Sequence, residues 1–357
     1  TIVKGAPGIF WSIDAINNCT QITGFRIFKG TWNGSTEINW AVNNTITPTF
    51  NTAYSGVPQV GEYNIAFDPT GQIGWVSVLT HLTPGPVAYA FYPSFWHTTD
   101  GGVTWTGPEQ VDLGQFNCIA NNMAVGNTPT TNFESDLEVD VNGEPHLFSA
   151  ICNGNFAYAV YYGQWHHMLD ITKTSGVWNV NDISNVNAGR GTWGVSPNAT
   201  TMDMTPQLAR SADGTKLFYG WSDNSSYTLG QANQTPNLFI RGLDITTRKL
   251  TTIRDVTSCQ PGINGQAFYP KLAQELLEPV SGQYKIAAVT GIFTSNDPAL
   301  VANFRFLDNL VFSTTDFTVN LPAAAVSINQ GSTYLLCNNS PALLTVTGLF
   351  NEILWSN

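Results

Sequence analysis

A short pattern of two apolar strands joined by a glycine-containing turn recurs along the chain and constrains its fold more than any other feature. The turn glycines of four copies are Gly71, Gly143, Gly214 and Gly282, at spacings of 72, 71 and 68 residues. A period of this length indicates a repeated structural unit. Each unit contributes at least one antiparallel hairpin to the fold.

A second hairpin follows at a similar offset in each unit. Two hairpins form a four-stranded antiparallel sheet, and such sheets arranged radially make a β-propeller. We therefore predict an all-β fold, a β-propeller of about five four-stranded blades that occupies residues 1–322. The second-hairpin turns lie near Asn33–Gly34, Asp100–Gly102, Ser175–Gly176, Thr246–Arg248 and Thr314–Asp316.

The first blade lacks a recognisable innermost strand, because Gly8–Ile13 matches the strand that follows a turn glycine. A strand from the other end of the chain would complete the blade and remove an exposed sheet edge. We predict that the segment after Asn320 supplies this strand, with Ala325–Ile328 as the best candidate.

Composition agrees with an all-β fold and excludes several functional classes. Only 11% of the residues are charged, against about 25% in typical globular domains, which leaves too few for long solvent-facing helices. The net charge is -11, so a phosphate backbone would be repelled and we expect no nucleic-acid partner. No stretch approaches the roughly 20 apolar residues of a membrane span. The start at Thr1 without Met suggests an exported chain whose signal peptide has been removed.

The five cysteines show no Cys-x-x-Cys spacing, so we predict no metal site on them and expect disulfides in an oxidising compartment. Cys118 and Cys152 flank the junction between the second and third blades, and we predict that they are bonded. Cys19 with Cys259 is a second candidate pair.

One segment carries the resemblance to a known family. Residues 98–105 read Thr-Thr-Asp-Gly-Gly-Val-Thr-Trp and match the Asp-box pattern Ser/Thr-x-Asp-x-Gly-x-Thr-Trp. An Asp can accept backbone N–H bonds across such a turn, a Gly can take positive φ, and the Trp can pack over the hairpin. The chain thus resembles the Asp-box propellers, which include sialidases and non-catalytic relatives, and in which this hairpin is structural. The matching residues are Thr98, Asp100, Gly102, Thr104 and Trp105.

The resemblance also implies what a sialidase would need: three arginines near the axis, an Asp that acts as acid and base, and a nucleophilic Tyr/Glu pair. The nearest text to the family's Arg-Ile-Pro motif is Phe25–Phe28, which lacks the proline, and no Asp lies between Asp14 and Asp68. Arg210, on a predicted innermost strand, is the arginine placed to reach the axis and a possible ligand contact. The incomplete set favours a protein that is not an enzyme, with a sialidase-type glycoside hydrolase as the alternative.

Four carboxylates recur with period two in the third repeat, at Glu134, Asp136, Glu138 and Asp140. Alternate residues of a strand share a face, so these groups could line a channel or gather a cation such as Ca²⁺. The alternative is that the upper two lie in a solvated loop while Asp140 closes the turn. We expect no other cofactor.

Aromatic residues between Phe91 and Trp96 have two interpretations. Tyr92 and Trp96 could stack on sugar rings, or they could fill the space between propeller blades. The adjacent His166 and His167 point to opposite faces of a strand, so they do not form a metal site.

Residues 323–357 depart from the repeat. The text around Cys337, followed by alternating Leu and Thr and then Trp355-Ser356-Asn357, resembles the start of Ig-like modules in secreted surface proteins of the Bacteroidota. This resemblance implies type IX export and display at the cell surface. We therefore expect a binding or interaction propeller whose partner is a protein of the cell envelope, a secretion or gliding translocon, or a surface glycan.

Overall fold

The structure is a computed structural model that describes most of the first 321 residues. It covers 2–321 except 87–88, 156–157, 159, 190, 194–199, 203, 225–232, 279 and 294–301, together with 325–328 and 332–335. Because most residues after Leu321, including Cys337, lie outside the described part, the division at 322 and the Ig-like module stay predictions.

Antiparallel four-stranded sheets form the first three blades, each running from its innermost to its outermost strand in chain order. Blade 1 is β1 (Ile2–Lys4), β2 (Ile9–Asn17), β3 (Ile22–Trp32) and β4 (Ile38–Ile46). Blade 2 is β5 (Val60–Phe67), β6 (Gly74–Thr80), β7 (Tyr92–Thr98) and β8 (Thr106–Gln110). After the short helix α1 (Asn117–Ala120), blade 3 is β9 (Thr128–Val139), β10 (Pro145–Gly154), β11 (Val160–Thr174) and β12 (Val177–Asn185).

The last two blades depart from this pattern. A small hairpin, β13 (Gly191–Trp193) and β14 (Thr200–Met202), precedes blade 4, which is β15 (Gln207–Arg210), β16 (Lys216–Asp223), β17 (Asn237–Asp244) and β18 (Lys249–Thr251), with β19 (Arg254–Asp255) also pairing β17. Within the described ranges, blade 5 has three strands, β20 (Phe268–Leu272), β21 (Gln283–Phe293) and β22 (Ala302–Ser313). The strand β23 (Phe317–Asn320) pairs with β18 of blade 4 and not with β22. The chain is a five-bladed β-propeller.

The predicted closing strand is wrong. Blade 1 is complete, with β1 paired to β2 through Val3 opposite Trp11, and β24 (Ala325–Ile328) pairs instead with β25 (Ser332–Leu335). The turn between β1 and β2 contains Gly8 at φ 74°, just as Gly71, Gly143, Gly214 and Gly282 take φ between 70° and 77° in the other blades. The first copy was missed because β1 is only three residues long and Gly8 lies 63 residues before Gly71.

Apolar cores fill the spaces between successive blades. Four buried clusters lie between blades 1 and 2, 2 and 3, 3 and 4, and 4 and 5. An aromatic pair crosses each junction with ring centroids 4.4–5.1 Å apart, which adds stabilisation beyond the burial of apolar area. These pairs are Trp11–Phe67, Phe95–Trp178, Phe148–Tyr219 and Phe218–Phe312.

The junction between blade 5 and blade 1 is of a different kind. Lys4 of β1 forms an exposed ion pair with Glu275, just after β20, at 2.8 Å. Leu307 of β22 faces blade 4, so Phe304 and Phe306, on the opposite face of the strand, are 73% and 67% exposed. Among the described residues, no apolar cluster joins these two blades.

Candidate ligand-binding site at the channel mouth

The five inner strands run in the same direction, so their glycine turns meet at one end of the axis. The Val141 N–H donates to the Gly214 carbonyl at 3.1 Å, which ties the turns of blades 3 and 4. A Cβ on Gly143 would lie 2.4 Å from the Ile73 side chain of blade 2. Neighbouring turns are therefore closely packed at that end.

Arg210 fastens three blades at the same end. Its guanidinium donates to the Phe67 carbonyl of blade 2 at 2.7 Å and to the Val139 carbonyl of blade 3. Its Nε lies 3.7 Å from the Glu138 carboxylate. Guanidinium donors of Arg210 are thus engaged by protein groups, and a ligand contact at this residue stays a prediction.

The row of carboxylates on β9 is also bound to protein groups. Asp136 accepts the Leu208 N–H of blade 4 at 2.8 Å, and Glu138 faces Arg210 of the same blade. The two therefore share a face, as the period predicts. Asp140 accepts the N–H groups of Asn142 and Glu144 and closes the turn.

Within the described ranges, no group of His, Cys, Asp or Glu could hold a metal ion. The cation site expected at Glu134, Asp136, Glu138 and Asp140 therefore stays a prediction. The carboxylates from Asp136 to Asp140 bind different protein groups along the chain.

Burial changes the acidity of this row. It raises the pKa of Asp136 to about 6, against the opposing hydrogen bond from Leu208. It raises the pKa of Glu138 to about 7, although Arg210 acts in the opposite direction. Both groups bind protons more tightly in the folded than in the unfolded chain.

We expect the free energy of unfolding to fall as pH rises from about 4 to about 7, because a raised carboxyl pKa stabilises the fold only while the group is protonated. The loss is on the order of a few kcal/mol for the two groups together. Chemical unfolding at a series of pH values measures it. Asp136→Asn, whose amide oxygen still accepts the Leu208 N–H, should flatten the profile, and an unchanged slope would contradict the assignment.

A cleft of about 890 Å³ opens at the opposite end, where the inner strands of blades 2 and 3 begin. Three half-buried rings line it, Phe28 of blade 1, Tyr63 of blade 2 and Phe133 of blade 3. Two carboxylates, Asp14 and Glu62, complete its polar side. The cleft combines flat apolar faces with hydrogen-bond acceptors, which is typical of a small-molecule site.

Close strand packing positions Glu62. A Cβ on Gly61 would lie 3.2 Å from the Phe133 carbonyl oxygen, so the inner strands of blades 2 and 3 approach closely at this point. Glu62 accepts the Ser135 N–H at 3.2 Å, and the neighbouring Asn64 amide donates to the Ser135 hydroxyl at 3.0 Å. These bonds hold the Glu62 carboxylate at the wall of the cleft.

The segment 98–105 forms the tight turn between β7 and β8. Asp100 accepts the Thr104 N–H at 2.9 Å and its hydroxyl at 2.6 Å, and Thr98 donates to Asp100 at 2.7 Å. These bonds lower the pKa of Asp100 to about 2. Gly102 takes φ 82°, and the Trp105 ring packs edge-on against Phe67. The turn lies on the outer hairpin, away from the cleft.

Other residues singled out from the sequence lie away from the cleft. Tyr92 and Trp96 are 1% and 5% exposed and belong to the cores between blades, as their alternative interpretation predicts. His166 bonds the Ala188 carbonyl while His167 pairs with Asp182, so the two histidines do point apart.

The described arginines do not converge on one site. Arg241 donates to the carbonyls of Ile183 and Thr251 on outer parts of blades 3 and 4. Arg26 and Arg305 are exposed on the third strands of their blades. Among the arginines that the structure describes, only Arg210 lies at the axis.

The predicted Cys118–Cys152 disulfide is wrong. Cys118 is on α1 and packs against the core between blades 2 and 3, whereas Cys152 of β10 lies in the core between blades 3 and 4. The sheet of blade 3 therefore separates the two sulfurs. Cys19 and Cys259 are exposed and are not bonded to each other.

The sequence did not reveal the cleft residues. Asp14, Phe28, Glu62, Tyr63 and Phe133 come from three blades, and no local pattern links them. The helices in the described ranges are all too short or too polar to cross a membrane.

The fold resembles solved structures of glycoside hydrolase propellers. The catalytic domain of the Coprinopsis cinerea GH62 α-L-arabinofuranosidase is 11% identical, with a TM-score of 0.39, over 86% of this chain and 87% of that one. The Bacillus halodurans xylan β-1,4-xylosidase is 9% identical, with a TM-score of 0.38, over 98% of this chain and 58% of that one. Trypanosoma rangeli sialidase is 12% identical, with a TM-score of 0.33, over 87% of this chain and 53% of that one.

These likenesses concern the fold and carry no argument about activity. The chain spans just over half the length of the xylosidase and of the sialidase. No family model matches the chain, and a comparison with curated proteins finds no match.

Proposed function

We propose that the protein is a non-catalytic recognition module that binds a neutral glycan in the cleft at the channel mouth. One observation carries the proposal: three aromatic rings and two carboxylates line the cleft, and none of the described residues that line it is Lys or Arg. Aromatic faces stack on the C–H faces of sugar rings, and carboxylates accept hydrogen bonds from sugar hydroxyls.

Electrostatics favour a neutral ligand over a sialic acid. Asp14 and Glu62 would repel a substrate carboxylate. Arg210 lies at the opposite end of the inner strands, where it binds backbone carbonyls. An Asp-box propeller of an exported Bacteroidota surface protein, delivered by a type IX system, is the setting that we propose from the sequence resemblance. In that setting the partner is a surface glycan.

Binding of a panel of neutral and sialylated oligosaccharides, measured by calorimetry, tests the proposal. We expect neutral members to bind, and we expect Phe28→Ala and Glu62→Gln each to weaken binding about tenfold, or ~1.4 kcal/mol. Glu62→Gln keeps an acceptor for the Ser135 N–H, so the fold should persist. Trp40→Ala, an exposed aromatic on β4, is the matched control and should bind like the unaltered protein.

The glycoside hydrolase alternative makes a distinct prediction for the same proteins. If the protein hydrolyses an aryl glycoside and Glu62→Gln abolishes this hydrolysis, the protein is an enzyme and the binding-module proposal is wrong. Absence of binding to every neutral glycan would also refute the proposal.

A further inference from the structure

Three tyrosines from separate loops meet beside the cleft. Tyr54 lies in the β4–β5 connection, Tyr89 in the β6–β7 loop and Tyr158 in the β10–β11 loop. Their ring centroids are 5.4 Å apart for Tyr54–Tyr89, 6.2 Å for Tyr54–Tyr158 and 6.3 Å for Tyr89–Tyr158. The sequence separates these residues widely, and only the fold brings their rings together.

The tyrosines lie at the open end of the channel. In an antiparallel blade, the first strand begins at the same end at which the second strand ends, so these three connections share the face where β5 and β9 begin. The cleft residues Val60 to Tyr63 follow directly after the Tyr54 loop. The cluster and the cleft therefore open on one surface.

Backbone hydrogen bonds hold the cluster in place. The Tyr158 N–H donates to the Tyr89 carbonyl at 3.1 Å, and the Asn51 N–H donates to the His81 carbonyl at 2.9 Å. A Gly56 N–H bond to the Thr52 carbonyl at 2.8 Å closes the turn that presents Tyr54. The rings are thus positioned before any ligand binds, which reduces the entropy lost on binding.

Three features set this cluster apart from an ordinary patch of core. Tyr54 is 55% exposed. Tyr158 has a left-handed backbone at φ 59°, which is unfavourable for a residue with a side chain, and its buried hydroxyl has no partner among the described residues. Strain of this kind clusters at binding sites.

Ring contacts connect the cluster to the cleft. Phe133, which lines the cleft, lies 5.1 Å from Phe91, and Phe91 lies 5.2 Å from Tyr158. Phe91 is buried beneath this surface, so one buried ring contacts both the cleft residue Phe133 and the cluster residue Tyr158.

We propose that Tyr54, Tyr89 and Tyr158 form a second stacking platform, so that the ligand is a polysaccharide chain that spans cleft and platform and not a single terminal sugar. This inference rests on the proposed glycan-binding function. It predicts that affinity increases with the number of sugar units until both platforms are occupied.

The test uses the whole chain with neutral cello-, xylo- and laminari-oligosaccharides of one to six units, measured by calorimetry. Among the oligosaccharides that bind, we expect the longest to have an affinity at least tenfold higher than the shortest. Tyr54→Ala should remove most of this gain and leave binding of the short members unchanged. Tyr54→Phe, which keeps the stacking face, should retain the gain, and Trp40→Ala is the control.

The outcomes separate the two proposals. Equal affinity for short and long members, with no effect of Tyr54→Ala, would overturn the platform and leave the cleft intact. Absence of binding at every length would overturn both. As an independent readout, a long oligosaccharide should protect Tyr54 from nitration by tetranitromethane, and unchanged nitration at saturating ligand would contradict the platform.

Discussion

Arg210→Ala is expected to lower the free energy of unfolding by about 3–5 kcal/mol, because it leaves the buried Glu138 carboxylate without its cation. The carbonyls of Phe67 and Val139 also lose their donor. The loss should increase with pH, since Arg210 opposes the burial that raises the pKa of Glu138 to about 7. In mild acid Glu138 is protonated and the ion-pair contribution disappears.

Urea unfolding near pH 5 and pH 8 measures both effects. Arg305→Ala is the matched control, because Arg305 is exposed on β22, and its change should stay within about 0.5 kcal/mol. The double variant Arg210→Met with Glu138→Leu should recover part of the stability, because an apolar pair replaces a buried ion pair at little net cost. A loss for Arg210→Ala no greater than that of the control would show that the three blades do not depend on this side chain.

The second large effect concerns a buried histidine between two carboxylates. Asp170, fully buried on β11, accepts hydrogen bonds from His146 Nδ1 at 2.9 Å, Tyr219 at 2.9 Å and Asn181 at 3.0 Å. Burial alone would lower the pKa of His146, but the charges of Asp170 and Asp140 raise it to about 10. The imidazolium is therefore charged in the folded protein at neutral pH.

Asp170→Asn should lower the free energy of unfolding by about 3–5 kcal/mol at neutral pH, because it leaves a buried cation with a single weaker partner. A raised histidine pKa stabilises the fold fully below about 6.5 and loses that contribution as pH rises to about 10. The unaltered protein should therefore lose stability between these values, and Asp170→Asn should lose much less.

Unfolding experiments across this pH range, with the His146 resonance followed by NMR, measure these changes. Asp182→Asn is the matched control: Asp182 pairs with His167 at 3.0 Å, but both side chains are partly exposed. Its cost should be at most about 1 kcal/mol. Equal losses for the two variants would contradict the role assigned to burial.

The repeat was readable from the sequence because each blade carries the same local signals. A positive-φ glycine and two apolar strands recur wherever an inner hairpin is needed, as at Gly143 and Gly214. The sequence does not predict β1, because a strand of three residues is too short to show an alternation of apolar and polar side chains. The departure of β23 to blade 4 depends on tertiary contacts, such as the packing of Phe317 on Phe218, which local propensity does not encode.

The candidate site was less predictable than the fold. The carboxylates on β9 formed a visible pattern, yet the structure uses Asp136 and Glu138 to join blades. No sequence pattern predicts that Glu62 lines the cleft, because its position there depends on the close approach of Phe133 from the neighbouring blade. A residue pattern along one strand predicts which side chains share a face of the sheet. It does not predict which residues of the next blade those side chains contact.

Among the described residues, four apolar cores join neighbouring blades, and an ion pair takes the place of a core at the junction between blades 5 and 1. The ion pair of Lys4 with Glu275 is exposed and contributes at most about 1 kcal/mol. Ser12 and Phe28 are cross-strand partners on the face of blade 1 that borders this junction, and both line the cleft. Within the described ranges, the cleft wall at Ser12 and Phe28 therefore borders a junction without an apolar core, whereas its walls on blades 2 and 3 belong to blades that share one.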